Sequence, residues 1–198
     1  MEQNIDDLRH IRSMMERSTK FLSLSGMSGV AAGFFALLGA GLAYLVMYKG
    51  LIITSYILYD LILIAVLVII GAALSGLYFC IRKAKKSGSK FWMPATVQIV
   101  KDFAIPMVIG GFFCLILIYN NCVFLIGSAM LIFYGISLIY AGSRTYRDIK
   151  ILGLCEIILG LLAGIFVYNG LLFWAIGFGV LHIIYGIAMY IKYDKKVE

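Results

Sequence analysis

The chain has 198 residues, 63% of them hydrophobic and only 14% charged, with a mean hydropathy of +0.99. A water-soluble domain of this size needs far more polar surface, so a soluble globular fold is excluded and a single helical membrane domain is expected. The formal charge of +7 does not point to nucleic acid, because all but one of the 17 Lys and Arg fall in alternate connections, within Met1–Lys20, Arg82–Lys101, Arg144–Lys150 and Lys192–Lys196. Lys49 stands alone on the other side. Cytoplasmic loops retain Lys and Arg, so this pattern predicts an even number of spans with both termini cytoplasmic, and some attraction to anionic lipid headgroups.

In chain order, residues 1–24 form a cytoplasmic segment. Ile5, Leu8, Ile11 and Met15 recur at three- or four-residue spacing and Asn4 with Asp7 offers a cap, which predicts an amphipathic helix over 4–20. It carries Arg9, Arg12, Arg17 and Lys20. Such a helix lies on headgroups, packs on its own bundle, or serves as a docking handle for a cytoplasmic partner. The first hairpin occupies 25–81, with spans at Ser25–Met47 and Tyr59–Ile81. Ser25, Gly29 and Gly33 recur every fourth residue, a small-residue stripe that lets another helix approach closely. Asp60, at the outer edge, is expected to face water.

Residues 82–102 read as a cytoplasmic interfacial linker. The basic run Arg82–Lys86 stops the second span, Phe91, Trp92 and Met93 suit the lipid interface, and Pro94 opens a short helix in the membrane plane. The second hairpin, 103–141, pairs Phe103–Tyr119 with Cys122–Tyr140 across an Asn120-Asn121 turn, with Pro106 in the first helical turn. The third, 148–191, pairs Ile151–Tyr168 with Leu171–Ile191 across Asn169-Gly170, and 192–198 is a cytoplasmic tail. The architecture expected is therefore all-α, with six transmembrane helices in three αα-hairpins behind the N-terminal amphipathic helix. The four cysteines form no C-x-x-C and read as structural thiols.

The last two hairpins match along their length. Gly111, Tyr119 and Asn120 correspond to Gly160, Tyr168 and Asn169, and Tyr134-Gly135-Ile136 corresponds to Tyr185-Gly186-Ile187. Both copies start in the cytoplasm, so duplication gives a parallel internal repeat. In that alignment Glu156 stands where the earlier copy has Met107, and His182 where it has Leu131.

These two residues are the ionisable groups farthest from any predicted membrane edge. Glu156 lies six residues past Lys150, ~9 Å deep, and His182 lies ten before Lys192, ~15 Å deep, at ~1.5 Å per residue. Gly153, Glu156, Gly160 and Gly164 share one face of their helix; Gly179, His182 and Gly186 share one face of theirs. Glycine faces are where membrane helices touch, so both groups are expected to point into protein, with Glu156 paired to His182 or protonated. The pair is either a buried link that fixes packing or a proton-responsive element. Tyr185, three residues after His182, is the candidate third member, with packing the favoured reading for it because its match Tyr134 lacks such a neighbour. No catalytic motif is present and two histidines give little metal-ligand capacity, so neither an enzyme, a cofactor nor a metal is expected.

Two resemblances extend this reading. The Tyr-Gly-Ile motifs, the glycine-bearing helices and the three hairpins, chiefly over Phe103–Ile191, resemble the HdeD-type acid-resistance membrane proteins. Nearly the whole chain is similar to a family of uncharacterised bacterial six-span membrane proteins, through Ile11-Arg12-Ser13-Met14-Met15-Glu16-Arg17-Ser18-Thr19, Ser23-Leu24-Ser25-Gly26, Gly153–Gly160 and Leu172-Phe173-Trp174-Ala175. That family implies a bacterial plasma membrane location and a cytoplasmic partner of the winged-helix regulator type. The function expected is a non-enzymatic membrane sensor or regulator acting through such a partner. The alternative is a small transporter or proton-linked channel built around Glu156 and His182. Glycine stripes serve within and between subunits alike, so a homo-oligomer stays open.

Overall fold

A computed structural model describes residues 24–54, 56–88 and 91–195, and among these every regular element is helical. The N-terminal amphipathic segment, with Arg9, Arg12 and Arg17, lies outside the described residues. Six helices follow: α1 Gly26–Lys49, α2 Ile57–Lys86, α3 Pro94–Tyr119, α4 Ile126–Ala141 behind a 3-10 turn at Val123–Leu125, α5 Arg147–Ile165, and α6 Val167–Asp194. Five of them are long and apolar enough to cross a bilayer: α1, α2, α3, α4 with its leading turn, and α6. The remaining helix, α5, has 19 residues but carries Arg147, Asp148, Lys150 and Glu156.

The outer surface is what lipid requires. Leu67, Ile69 and Leu74 on α2 and Ile105, Phe112 and Leu115 on α3 are all exposed, a density of apolar side chains that water would not tolerate. Helix is the form that lets such segments satisfy their own backbone groups in hydrocarbon.

Several expected boundaries move. The basic run Arg82–Lys86 completes α2 rather than following it, since Lys and Arg at a helix C-terminus suit the backbone dipole. The short in-plane helix does not exist on its own: Pro94 opens one continuous α3 that runs into the third span. Pro106 is therefore inside that helix rather than in its first turn. It removes a single backbone donor, a loss that membrane helices accommodate through neighbouring packing. Asp60 does not face water either; it is 1% exposed and accepts the backbone N–H groups of Ile53 (3.1 Å) and Thr54 (2.6 Å). It folds the α1–α2 loop back onto the first turn of α2, with Gly50 (φ 70°) closing α1 before it.

Helix order across the bundle is α2, α1, α6, then α4 and α5 together, with α3 against α4. The α1/α2 and α3/α4 pairs pack as neighbours, while α5 makes its most extensive contact with α4 rather than α6. Two glycine seams explain this order. Along α1/α6, a Cβ on Gly186 would lie 2.4 Å from the Val30 backbone nitrogen, and one on Gly33 would lie 2.6 Å from the Gly179 carbonyl oxygen. Along α4/α5, a Cβ on Gly135 would lie 2.5 Å from the Gly153 carbonyl oxygen and one on Gly153 would lie 2.6 Å from that of Gly135, while additions at Gly160 and Gly164 would meet Ile132 and the Ser128 hydroxyl. That hydroxyl donates to the Gly160 carbonyl at 2.6 Å. The seams expected at Gly153, Gly160 and Gly164 and at Gly179 and Gly186 are thus real contacts, but they do not face each other. The first meets α4 and the second meets α1, because each glycine stripe seeks the helix whose backbone can approach it most closely.

Candidate functional site

Glu156 and His182 nonetheless come together. Glu156 sits midway along α5 and is 0% exposed; His182, on α6, is 5% exposed. Nδ1 of His182 lies 3.4 Å from Oε1 of Glu156. The contact is made beside Gly177, where an added Cβ would stand 2.5 Å from Oε2 of Glu156 and equally close to Leu131. Only a residue without a side chain leaves room for the carboxyl there.

The local path of α6 sets the imidazole's bonding. Ala175–Leu181 winds as a π-helix, a wide turn commonly found where membrane and soluble helices carry function. It brings the Gly177 carbonyl to 3.0 Å from His182 Nδ1. A carbonyl can only accept, so Nδ1 bears the hydrogen and spends it on Gly177. The other ring nitrogen, Nε2, lies 2.6 Å from the Tyr134 hydroxyl on α4. With the ring neutral, Nε2 accepts from the phenol; with a second proton it donates to it.

The carboxyl of Glu156 is left in contact with this bonded ring but outside its hydrogen bonds. Neither Oε1 nor Oε2 has a hydrogen-bond partner. A buried polar group in that state costs about 1–3 kcal/mol and calls for an explanation beyond packing. Two arrangements keep the site free of net charge: a protonated acid beside a neutral ring, or a carboxylate beside an imidazolium. They differ by where one proton resides, on the carboxyl of Glu156 or on Nε2 of the ring, whose Nδ1 keeps its hydrogen in both. Aromatic rings pack about the Tyr134–His182 contact, with Phe178 at 4.8 Å and Phe103 at 5.7 Å from the Tyr134 ring.

The third member is therefore Tyr134, not Tyr185. Tyr185 packs with Leu138, Ile149 and Leu152, and its ring edge lies beside Gly29 at the α1 seam. Tyr134 escapes a search confined to α5 and α6, because it lies on α4. The sequence match of Tyr134-Gly135-Ile136 to Tyr185-Gly186-Ile187 was the available signal that singled it out.

Around the basic end of the bundle, acids and bases are paired between helices. Asp102 of α3 holds Arg144 at 2.8 Å, and Asp148 of α5 accepts from Lys192 (2.9 Å) and Tyr193 (2.8 Å) of α6. Asp194, closing α6, accepts from the Ser25 hydroxyl (3.0 Å) and the Gly26 N–H (2.9 Å), and lies 2.7 Å from Lys83 of α2. His182 and this junction sit on one helix, twelve residues or roughly 18 Å apart.

The fold is that of a multi-pass helical membrane protein, with five helices long and apolar enough to cross a bilayer, and its buried carboxyl on α5 meets a histidine that is hydrogen-bonded to a tyrosine. Comparison with family models, curated proteins and solved structures finds no match.

Proposed function

We propose that this chain is a non-enzymatic membrane sensor or regulator in which Glu156, His182 and Tyr134 form a proton-linked latch between α4, α5 and α6. The observation that carries the reading is the partnerless carboxyl of Glu156, held 3.4 Å from a ring whose two nitrogens are otherwise engaged. A gained or lost proton changes which bonds hold His182, and α6 carries the change to Asp194, which caps α1 where the N-terminal segment enters. In this reading the chain has six spans, α5 included, with both ends cytoplasmic in a bacterial plasma membrane. The basic clusters at one end support that orientation. An internal repeat of the last two hairpins rests on the sequence match alone, through Tyr119-Asn120 with Tyr168-Asn169 and the two Tyr-Gly-Ile motifs. A winged-helix type regulator docking on the segment with Arg9, Arg12 and Arg17 rests on the family resemblance alone.

A transporter or proton-linked channel would use the same carboxyl. The complete burial of Glu156 favours a latch over a permeation route. The test is a distance measurement on the full chain in nanodiscs, with spin labels at Lys85 and Lys195, between about pH 5 and pH 8, where histidine changes charge. The latch predicts a pH-dependent change in that distance which Glu156→Gln removes. A distance that ignores pH, or a variant that responds like the parent, refutes it. The partner half of the reading fails if a chain lacking residues 1–20 captures the same cytoplasmic protein from native membrane as the full chain.

A further inference from the structure

At the basic end of the bundle, three cations are paired with carboxylates across the fold: Lys83 with Asp194 (2.7 Å), Arg144 with Asp102 (2.8 Å) and Lys192 with Asp148 (2.9 Å). Arg147 and Lys150 of α5 are treated differently. Both are exposed, and among the described residues neither has a carboxylate partner. Asp148, the acid that stands between them in sequence, is already held by Lys192 and Tyr193.

Their place on the helix sharpens the contrast. Arg147 opens α5 and Lys150 follows three residues later. This is the positive end of the helix dipole, where a cation is disfavoured, whereas the basic run of α2 lies in its last turn, at the favourable end. The stem of Lys150 rests against the α4–α5 turn, where a Cβ on Gly142 would lie 2.8 Å from its Cγ. Further along the same face run Ile151, Leu154, Ile158 and Leu161, all exposed. At 3.6 residues per turn these six positions fall within about 100° of arc, so two cations head one continuous apolar strip.

We propose that this face of α5 binds an anionic membrane phospholipid, its phosphate at Arg147 and Lys150 and its acyl chains along Ile151, Leu154 and Ile158. The phosphate supplies the counter-charge that the protein does not, and the strip below it matches the hydrocarbon that such a lipid carries. A soluble anion would meet the cations and leave the strip uncovered. The site rests on α5 crossing the bilayer, as proposed above, and not on the Glu156 latch. The latch is read by pH and this site by lipid, so the failure of either leaves the other standing.

Thermal unfolding of the full-length protein in neutral detergent, with phosphatidylglycerol or phosphatidylcholine titrated in, tests this. Phosphatidylglycerol is expected to raise the melting temperature more than phosphatidylcholine does, because a ligand of the folded state stabilises it. At about fivefold per cation, the paired change Arg147→Gln and Lys150→Gln should raise the phosphatidylglycerol concentration that gives half the shift roughly 25-fold. Without lipid that variant should melt no lower than the parent, since it removes two cations that the helix dipole opposes. Arg82→Gln with Lys85→Gln, an equal loss of charge at the end of α2, should keep the parent's lipid response. Equal shifts from the two lipids, a parent-like response from the α5 variant, or an equal loss in the α2 variant overturns the proposal. An α5 variant that melts below the parent without lipid also overturns it, because the protein itself would then be holding the cations. So does a shift reproduced by soluble glycerol phosphate at the concentration of the lipid.

Discussion

Two carboxyl groups in this protein are withdrawn from the surface to the same degree and treated in opposite ways. Asp60 is 1% exposed and Glu156 is 0% exposed. Asp60 sits in the first turn of α2, beside the loop that precedes it, and accepts two backbone N–H groups from Ile53 and Thr54. Glu156 lies amid three packed helices and accepts none. The first is a pin: its bonds hold a loop against the start of a helix, and the positive end of that helix favours its charge. The second is a group that stability alone would not retain. Burial therefore does not separate a structural acid from a functional one; hydrogen-bond satisfaction does.

That contrast needs a scale for damage that is purely mechanical, and Gly186 supplies it. A side chain there would meet the backbone of Val30 and Gly26, which cannot yield. Gly186→Leu is expected to cost ~3 kcal/mol or more and to lose most monodisperse protein in detergent. Gly111→Leu, with nothing within 4 Å, should stay within about 0.5 kcal/mol of the parent. Equal behaviour of the two would undo the assignment of the α1/α6 seam. A smaller pair sharpens the site itself. Tyr134→Phe removes the hydroxyl bonded to His182 and should lower stability by about 1 kcal/mol, whereas Tyr185→Phe should lower it less. Thermal unfolding that ranks Tyr185→Phe as the worse of the two would place the network on the wrong tyrosine.

The class of fold is legible in the sequence because long apolar runs and the clustering of Lys and Arg are local properties. The pairing of Glu156 with His182 is legible too, through depth counted from Lys150 and Lys192. The route by which they meet is not. Facing glycine seams are the simplest geometry that depth allows, yet Gly153 and Gly160 meet α4 and Gly186 meets α1. Helix neighbours in a membrane are chosen by close packing, which periodicity within one helix does not encode. Asp60 shows the same limit in a loop, since its two donors come from the loop's backbone. The alignment of glycines is also looser than spacing implies: Gly110 presses on Phe133 while Gly111, the matched residue, touches nothing. Pro106 inside α3 is a further case, because a proline's cost depends on what its neighbours supply.

The most direct measurement is thermal unfolding of Asp60→Ala and Glu156→Met in the same detergent. Methionine is about one methylene larger than glutamate, an excess its flexible chain can accommodate, and it needs no hydrogen bonds. The account predicts that Asp60→Ala loses stability, while Glu156→Met gains about 1 kcal/mol or more by removing a buried group with no partner. A Glu156→Met protein that melts below the parent, as Asp60→Ala does, would make the carboxyl an ordinary structural contact and contradict the latch.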